Sequence, residues 1–551
     1  MYSLGLAALS LLWATTGAQA AVARRPLPPP VTAESTANFG HATFDQLIDH
    51  NNPSLGTFPQ HYWWNSEWWG GEGSPVVLFT PGEEAAAQYT GYLTNRTLTG
   101  LYAKEIQGAV IVIEHRYWGN STPYADLSTE NLQYLTVGNA VADLAYFANT
   151  VDLPFDTDSS SNAQYAPWVL SGGSYSGALT AWTESTSPGT FWAYHSTSAP
   201  VEAIYDYWQY FIPVQEGMAK NCSRDVTRVV DHIDSVYEAG NEKDIQDLKD
   251  MFGLGDLEFD DFAAALENGP WLWQSNSFYT GYSSFFQFCD YVENVDPGAK
   301  DVPGPDGVGL EKALAGYAKW FKEIYFPKSC SSYGYWTDPY TTACYDTYNA
   351  SNPMYTDHST GNTMDRQWQW LLCNEPLFYW QDGAPSNVPS LVSRTVNAAY
   401  WQRQCPLFFP EVNGYTYGSA EGKTAAGVNA WTQGWDLTDT TRLMWANGYV
   451  IGSPIFQLLA LGFVYNVRNI DDKILSRQFD PWREAGVSSS TRPGGPLQSR
   501  PWAPLHIIPG GFHCSDLIVE NGAVNEGVQK VIDAEIAQIK SWVDEYYMEY
   551  W

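Results

Sequence analysis

Residues 167–182, PWVLSGGSYSGALTAW, constrain the fold more than any other stretch of this chain. Pro167–Ser171 is a short aliphatic run without polar alternation, the pattern of a strand buried on both faces. Gly172, Gly173, Ser176 and Gly177 crowd small residues around Ser174, and a helix pattern follows. A strand that turns at once into a helix needs such residues, because the two backbones pass close together. The same grammar recurs upstream. PVVLF (75–79) ends at TPGEE, and AVIVIE (109–114) ends at HRYWGN. Asn139–Val151 then places Val141, Leu144, Ala145 and Ala148 at helical spacing. Aliphatic runs closed by glycine-containing loops and separated by amphipathic helices predict an α/β sheet, largely parallel.

The chain has 551 residues, too many for one small core. From 205 to 405 its texture changes: apolar residues follow helical spacing and tryptophan and tyrosine become dense. Six of the seven cysteines (Cys222, Cys289, Cys330, Cys344, Cys373, Cys405) fall there. This predicts a mainly helical, disulfide-bonded cap at 205–405, inserted between two parts of a sheet domain at 41–204 and 406–551. Spacing does not reveal which cysteines pair. Cys514 is left over and reads as a buried thiol. Past 440 the α/β pattern resumes. LHIIP (505–509) reads as a last strand, and Val528, Ile532, Ile536, Ile539 and Val543 line one face of a final helix.

Residues 1–20 read as a secretory signal: an apolar run, Leu4–Trp13, precedes Ala18-Gln19-Ala20. That run is too short to span a bilayer, so no membrane association is expected. Residues 21–40 read as a linker or pro-segment. Sequons at Asn95, Asn120, Asn221 and Asn349 fit a secreted glycoprotein. The expected destination is extracellular, with a vacuole or lysosome as the alternative. Net charge is −33, from 28 basic and 61 acidic residues. Such a surface repels phosphate and excludes nucleic acid as a partner. It suits a soluble protein in acid, where protonation relieves self-repulsion. Nothing in the sequence sets an oligomeric state.

The strand–turn–helix at Ser174 has the context of the nucleophile elbow of an α/β-hydrolase. An elbow serine needs a base, and the base needs an orienting acid. IIPGGFHCSDL places His513 in a glycine-rich loop after the last predicted strand, and FDPWRE places Asp480 after another strand-like run. Ser174, Asp480, His513 is the chain order expected of that fold. The Tyr175 backbone N–H is the natural first oxyanion donor. A second is expected from TPGEE, around Gly82 and Glu83; Glu83 could also bind a substrate amine or cap a helix. No cysteine or histidine pair has metal-ligand spacing, so neither metal nor cofactor is expected.

FDQLIDH, TFPQHYWWN, IEHRYWGNS, GGSYSGALTAW and DPW together resemble the family of lysosomal Pro-Xaa carboxypeptidases and dipeptidyl-peptidases. The likeness is strongest to its secreted fungal branch, the acid prolyl endopeptidases, and runs from about residue 40 to the C-terminus. The resemblance implies an α/β-hydrolase domain under a helical cap, and cleavage after proline, in acid, of proline-containing peptides and proteins. It gives catalytic roles to Ser174, Asp480 and His513 and puts Trp482 in the proline pocket. It makes Arg366–Gln381 a source of further walls, Trp370 and Trp380 foremost, with Trp368 and Phe378 as alternatives. An exopeptidase of the same family is the rival reading. One tension stands: an imidazole of ordinary pKa, about 6.5, is protonated in acid, and no sequence feature lowers it for His513.

The likeness is interrupted once. In the family pattern, the strand ending Asn447-Gly448 runs almost directly into DPW. Here Tyr449–Arg477 intervenes, with the apolar stretch LLALGFVY at 458–465. The segment 449–477 reads as a retained, translated intron. Codons for Gly448-Tyr449-Val450 can carry a donor-type signal, and Arg477 an acceptor-type AG. The alternative is a true insertion that could disable the triad and leave a catalytically inactive binding protein.

Overall fold

The computed structural model describes residues 32, 38–296, 299, 302–327, 329–447 and 479–550. The expected signal segment and the segment 449–477 lie outside the described residues, as does most of 21–40.

Among the described residues, ten strands occur in chain order: β1 (Phe39–Leu47), β2 (Thr57–Asn65), β3 (Val76–Phe79), β4 (Ala109–Ile113), β5 (Trp168–Gly173), β6 (Ala193–Thr197), β7 (Ile204–Asp206), β8 (Phe378–Trp380), β9 (Leu443–Ala446) and β10 (Leu505–His506). Eight of them form one sheet in the order β1-β2-β4-β3-β5-β6-β9-β10. β1 pairs antiparallel with β2, and β2 antiparallel with β4; all other pairs in this sheet are parallel. This is the sheet of an α/β-hydrolase, as the alternating pattern predicts.

The unbroken aliphatic runs became strands buried along their whole length: β3, β4, β5, β6 and β9 expose no residue. Alternate residues serve two cores. Val76, Leu78, Ile111 and Leu170 face helices Val137–Thr150 and Tyr175–Thr186, while Val77, Phe79, Val112 and Val169 face Leu98–Glu105 and Glu526–Tyr550. Helix Val137–Thr150 starts where the Thr136 hydroxyl accepts the Asn139 N–H, a side-chain N-cap. Its buried stripe uses Val141, Leu144 and Ala148, with Phe147 in place of the expected Ala145. The last helix buries Val528, Ile532, Ile539 and Val543, and with them Glu535.

Strand order reverses between β3 and β5, which are neighbours with Phe79 opposite Ser171. The loops that leave their carboxyl ends therefore start side by side, and such a switch point opens a crevice. Between β6 and β9 the chain leaves the sheet for a run of helices, with β7 and β8 forming a separate parallel pair. Lys220–Ala239 buries Cys222, Val226, Val229, Val230 and Ile233 on one stripe and ends at Gly240 with φ 67°. Disulfides join Cys222 to Cys289, Cys330 to Cys344 and Cys373 to Cys405. Each pairs consecutive cysteines and closes a local loop. Cys514 is free and buried.

Candidate active site

Ser174 sits between β5 and helix Tyr175–Thr186 with φ 61° and ψ −133°, a conformation an L-residue adopts only under constraint. The neighbours supply that constraint. A Cβ on Gly172 would lie 2.1 Å from Ser176 O, and one on Gly177 2.8 Å from Thr197 O. Both positions therefore exclude any side chain. A Cβ on Gly173 would meet Leu517 at 2.7 Å. The position two after Ser174 accommodates serine, because the Ser176 hydroxyl turns back to donate to Gly173 O at 2.8 Å. On the helix side of Ser174 the residue that must lack a Cβ is Gly177, one place later.

His513 lies on the loop after β10. Its Nε2 is 2.8 Å from Ser174 Oγ, and its Nδ1 is 2.9 Å from Asp480 Oδ1. An ionised carboxylate can only accept, so Nδ1 carries the proton and Nε2 is left to accept from the serine hydroxyl. All three side chains are buried. Asp480 is held from several directions. The Phe479 N–H donates to Gly511 O at 2.8 Å, and Trp273 Nε1 donates to Phe479 O at 2.7 Å. The Trp482 N–H donates to Asp480 Oδ1 at 3.0 Å, and the Tyr207 hydroxyl donates to Pro481 O at 3.1 Å. The carboxylate is thus fixed by the cap and by the histidine loop.

Tyr175 opens its helix, where first-turn amides have no acceptor within the helix. Its ring packs edge-on to Trp368 at 5.5 Å, and its hydroxyl is 3.2 Å from His115 Nε2. Burial lowers His115 to about 4, so that ring is neutral above that pH and accepts from the tyrosine. Gly82 reaches the elbow as expected, with φ 75°; a Cβ there would lie 3.2 Å from Tyr175 Cδ1. Its amide donates to Thr80 Oγ1 at 3.2 Å. Glu83 is fully buried, and its charge acts on both Tyr175 and Tyr379.

Trp482 is buried within an aromatic cluster: Tyr379 lies 5.3 Å away, Tyr210 5.4 Å and Tyr207 5.7 Å. Trp370 and Trp380 go elsewhere. Trp370 donates to Leu135 O at 2.9 Å and packs on Phe409. Trp380 stacks on Trp401 beside a small cap cavity that Cys373 and Cys405 also line. From helix Arg366–Asn374 it is Trp368, two residues before Trp370 and on the opposite face, that touches the elbow. Tyr207, Tyr210, Tyr379 and Trp273 were not singled out by sequence reading. Their only signal was the density of aromatics in the cap. Asn95, Asn120 and Asn349 are exposed and Asn221 is half-buried.

The model of the family described as serine carboxypeptidase S28 matches residues 46–269. The serine protease vicPa of Bipolaris victoriae (strain FI3) is 40% identical over 527 residues, 95% of this chain and 92% of that protein. The chain belongs to the S28 family. It is a serine-type peptidase. This S28 peptidase is also 28% identical, over 88% of its length and 63% of the other's, to a protein of Arthroderma benhamiae named "Probable extracellular serine carboxypeptidase". A shorter match, 33% identical over 167 residues, joins it to the human thymus-specific serine protease; it spans 30% of this chain and 31% of that one.

Proposed function

We propose that the chain is a secreted endopeptidase that hydrolyses peptide bonds on the carboxyl side of proline in acid surroundings. Ser174 acts as nucleophile, His513 as base and Asp480 as the group that orients it. The observation that carries this reading is the pair of hydrogen bonds from one imidazole, 2.8 Å to Ser174 Oγ and 2.9 Å to Asp480 Oδ1. Oγ attacks the peptide carbonyl while Nε2 takes its proton. The carbonyl oxygen becomes an oxyanion, received by the Tyr175 N–H at the start of its helix. As the tetrahedral adduct collapses, Nε2 returns the proton to the leaving nitrogen. Water then repeats the sequence on the acyl-serine and releases the acid.

Proline is compact and its nitrogen carries no hydrogen, so shape and flat apolar walls must select it. Trp482, two residues from Asp480, belongs to an aromatic cluster and donates its N–H to that carboxylate. The relative named extracellular and the acidic composition support secretion into an acid medium. A second reading, release of dipeptides from a free amino terminus, draws on Glu83, an acid buried beside the elbow.

The test uses chromogenic peptides with proline or alanine before the scissile bond, each with a free and a blocked amino terminus. Endopeptidase action predicts cleavage of the blocked proline peptide. Cleavage of the free form alone supports the dipeptidyl-peptidase reading. Equal rates on proline and alanine sink the specificity.

A further inference from the structure

The nucleophile and the base hang from the same end of β6. The Ser174 N–H donates to Thr197 O at 3.0 Å. The Cys514 N–H donates to Ser198 Oγ at 2.9 Å, and Thr197 Oγ1 donates to Asp516 Oδ1 at 2.6 Å. Asp516 is three residues past His513 on the same loop. Two residues back along β6, on the face that Thr197 also uses, stands His195. Its Nδ1 is 2.9 Å from Ser171 Oγ on β5, three residues before the nucleophile. Its Nε2 is 3.3 Å from Asp516 Oδ2 and 3.7 Å from Glu535 Oε1 on the final helix. All three side chains are fully buried.

An imidazole between two carboxylates out of water has few stable charge states. Burial opposes its charge, but attraction from Asp516 and Glu535 outweighs burial and raises His195 to about 9. Burial, with the charge of Asp516, raises Glu535 to about 7. The His195 imidazolium supplies positive charge between these two acids, and the three ligand atoms lie within 4.8 Å of one another. The other titratable groups facing it are Tyr102 from helix Leu98–Glu105, His506 from β10, Tyr92, and Cys514 beside His513. Burial raises Tyr92, Tyr102 and Cys514 well above their usual range and lowers His506, so these four favour their neutral forms.

We propose that His195, Asp516 and Glu535 form a buried positioning clamp that holds the His513 loop in register with Ser174. The clamp rests on the reading of Ser174, His513 and Asp480 as the triad. It ties β5, β6, the histidine loop and the last helix together behind the sheet. None of its members touches substrate.

The full-length protein and its variants H195Q, D516N and E535Q are compared on the blocked proline peptide from pH 4 to 9, with melting temperature measured alongside. A fluorophosphonate probe first labels Ser174 in the wild type; absent labelling overturns the triad reading itself, whatever the clamp does. With labelling intact, H195Q and D516N are expected to lose about tenfold or more in kcat, the cost of a slightly misplaced base, with KM little changed. The rate of probe labelling falls in parallel. A variant with lowered melting temperature but wild-type kcat makes the network merely structural and overturns the clamp. E535Q preserves shape, so it decides the matter if the other two fail to fold. It is expected to erase the step in the kcat–pH profile near the Glu535 value of about 7. A profile identical to wild type overturns the clamp, as does a kcat that falls on chelation, which would assign the three ligands to a metal.

Discussion

At the scale of single residues, the side chains proposed to react were readable and their partners were not. Ser174, Asp480 and His513 stand in the order the fold requires, and each follows a strand-like run, so chain position alone suggested them. Ser174→Ala is expected to remove fluorophosphonate labelling and lower kcat by about a thousandfold or more, with the melting temperature unchanged. Retained turnover would move the nucleophile elsewhere. Gly172→Ala makes a sharper case. Its methyl would land 2.1 Å from Ser176 O, which belongs to the elbow's own helix. Neither backbone can retreat without moving Ser174, so this single carbon is expected to abolish activity and depress the melting temperature as well. The aromatic walls were harder to read. Trp368 and Trp370 differ by two positions on one helix, and either face could have been turned to the site. Only the dock of Cys373 onto Cys405, with Trp370 seated on Phe409, turns Trp368 to Tyr175. That choice depends on residues far apart in sequence. The partner of the Gly82 amide was equally hidden: the Thr80 hydroxyl, two residues earlier, bends round to accept it.

At the scale of elements, periodicity carried far. The aliphatic runs at 75–79, 109–114 and 167–171 became β3, β4 and β5, and the last amphipathic pattern became Glu526–Tyr550. The way Asp480 is delivered was not legible. The sequence places it after a strand, whereas its contacts come from the side: Trp273 and Tyr207 of the cap and Gly511 of the histidine loop. An acid held laterally does not need a short tether to β9. Precise deletion of 449–477 is therefore expected to leave kcat on a proline peptide within about threefold of the parent, since contacts this independent add. Loss of all activity on deletion would show that the segment itself carries Asp480 into place. The complementary change is Tyr207→Phe. It removes a hydroxyl that donates to Pro481 O and accepts from the Ala485 N–H. Two buried backbone groups lose their partner, at about 1–3 kcal/mol each. Thermal melting should register the loss, and kcat should fall with it if the 3₁₀ turn Pro481–Ala485 aims Asp480.

At the scale of the whole molecule, the acidic composition has a buried counterpart that no count of residues discloses. Burial raises Asp261 to about 6, Glu202 and Glu535 to about 7, Glu293 to about 8 and Asp382 to about 10. For Glu293 and Asp382 a neighbouring carboxylate adds to the shift, from Asp225 and Asp206. A carboxyl whose pKa is higher folded than unfolded binds its proton more tightly in the fold. Its contribution is whole below the unfolded value, about 4, and is lost as pH rises through the folded value. His195 has the same sign, with its loss running from about 6.5 to about 9. His115 opposes them: lowered to about 4 by burial, it favours the folded state less as pH drops below about 6.5. Burial raises Glu114, Glu184, Glu267 and Asp290 as well and lowers His41, His61, His358 and His506. Hydrogen bonds lower Asp126 and Asp357. Among the described residues, nine raised carboxyls and His195 against five lowered imidazoles and two lowered carboxyls set the direction. The net charge of −33 at neutral pH adds self-repulsion in the same sense. The melting temperature is expected to be highest near pH 4.5 and to fall progressively toward pH 9, the reverse of proteins whose carboxylates are held by surface ion pairs. Calorimetry at constant ionic strength between those limits checks it. A melting temperature that rises toward neutrality would mean that the buried acids are ionised and paired, and would remove the main physical reason for placing this peptidase in an acid medium.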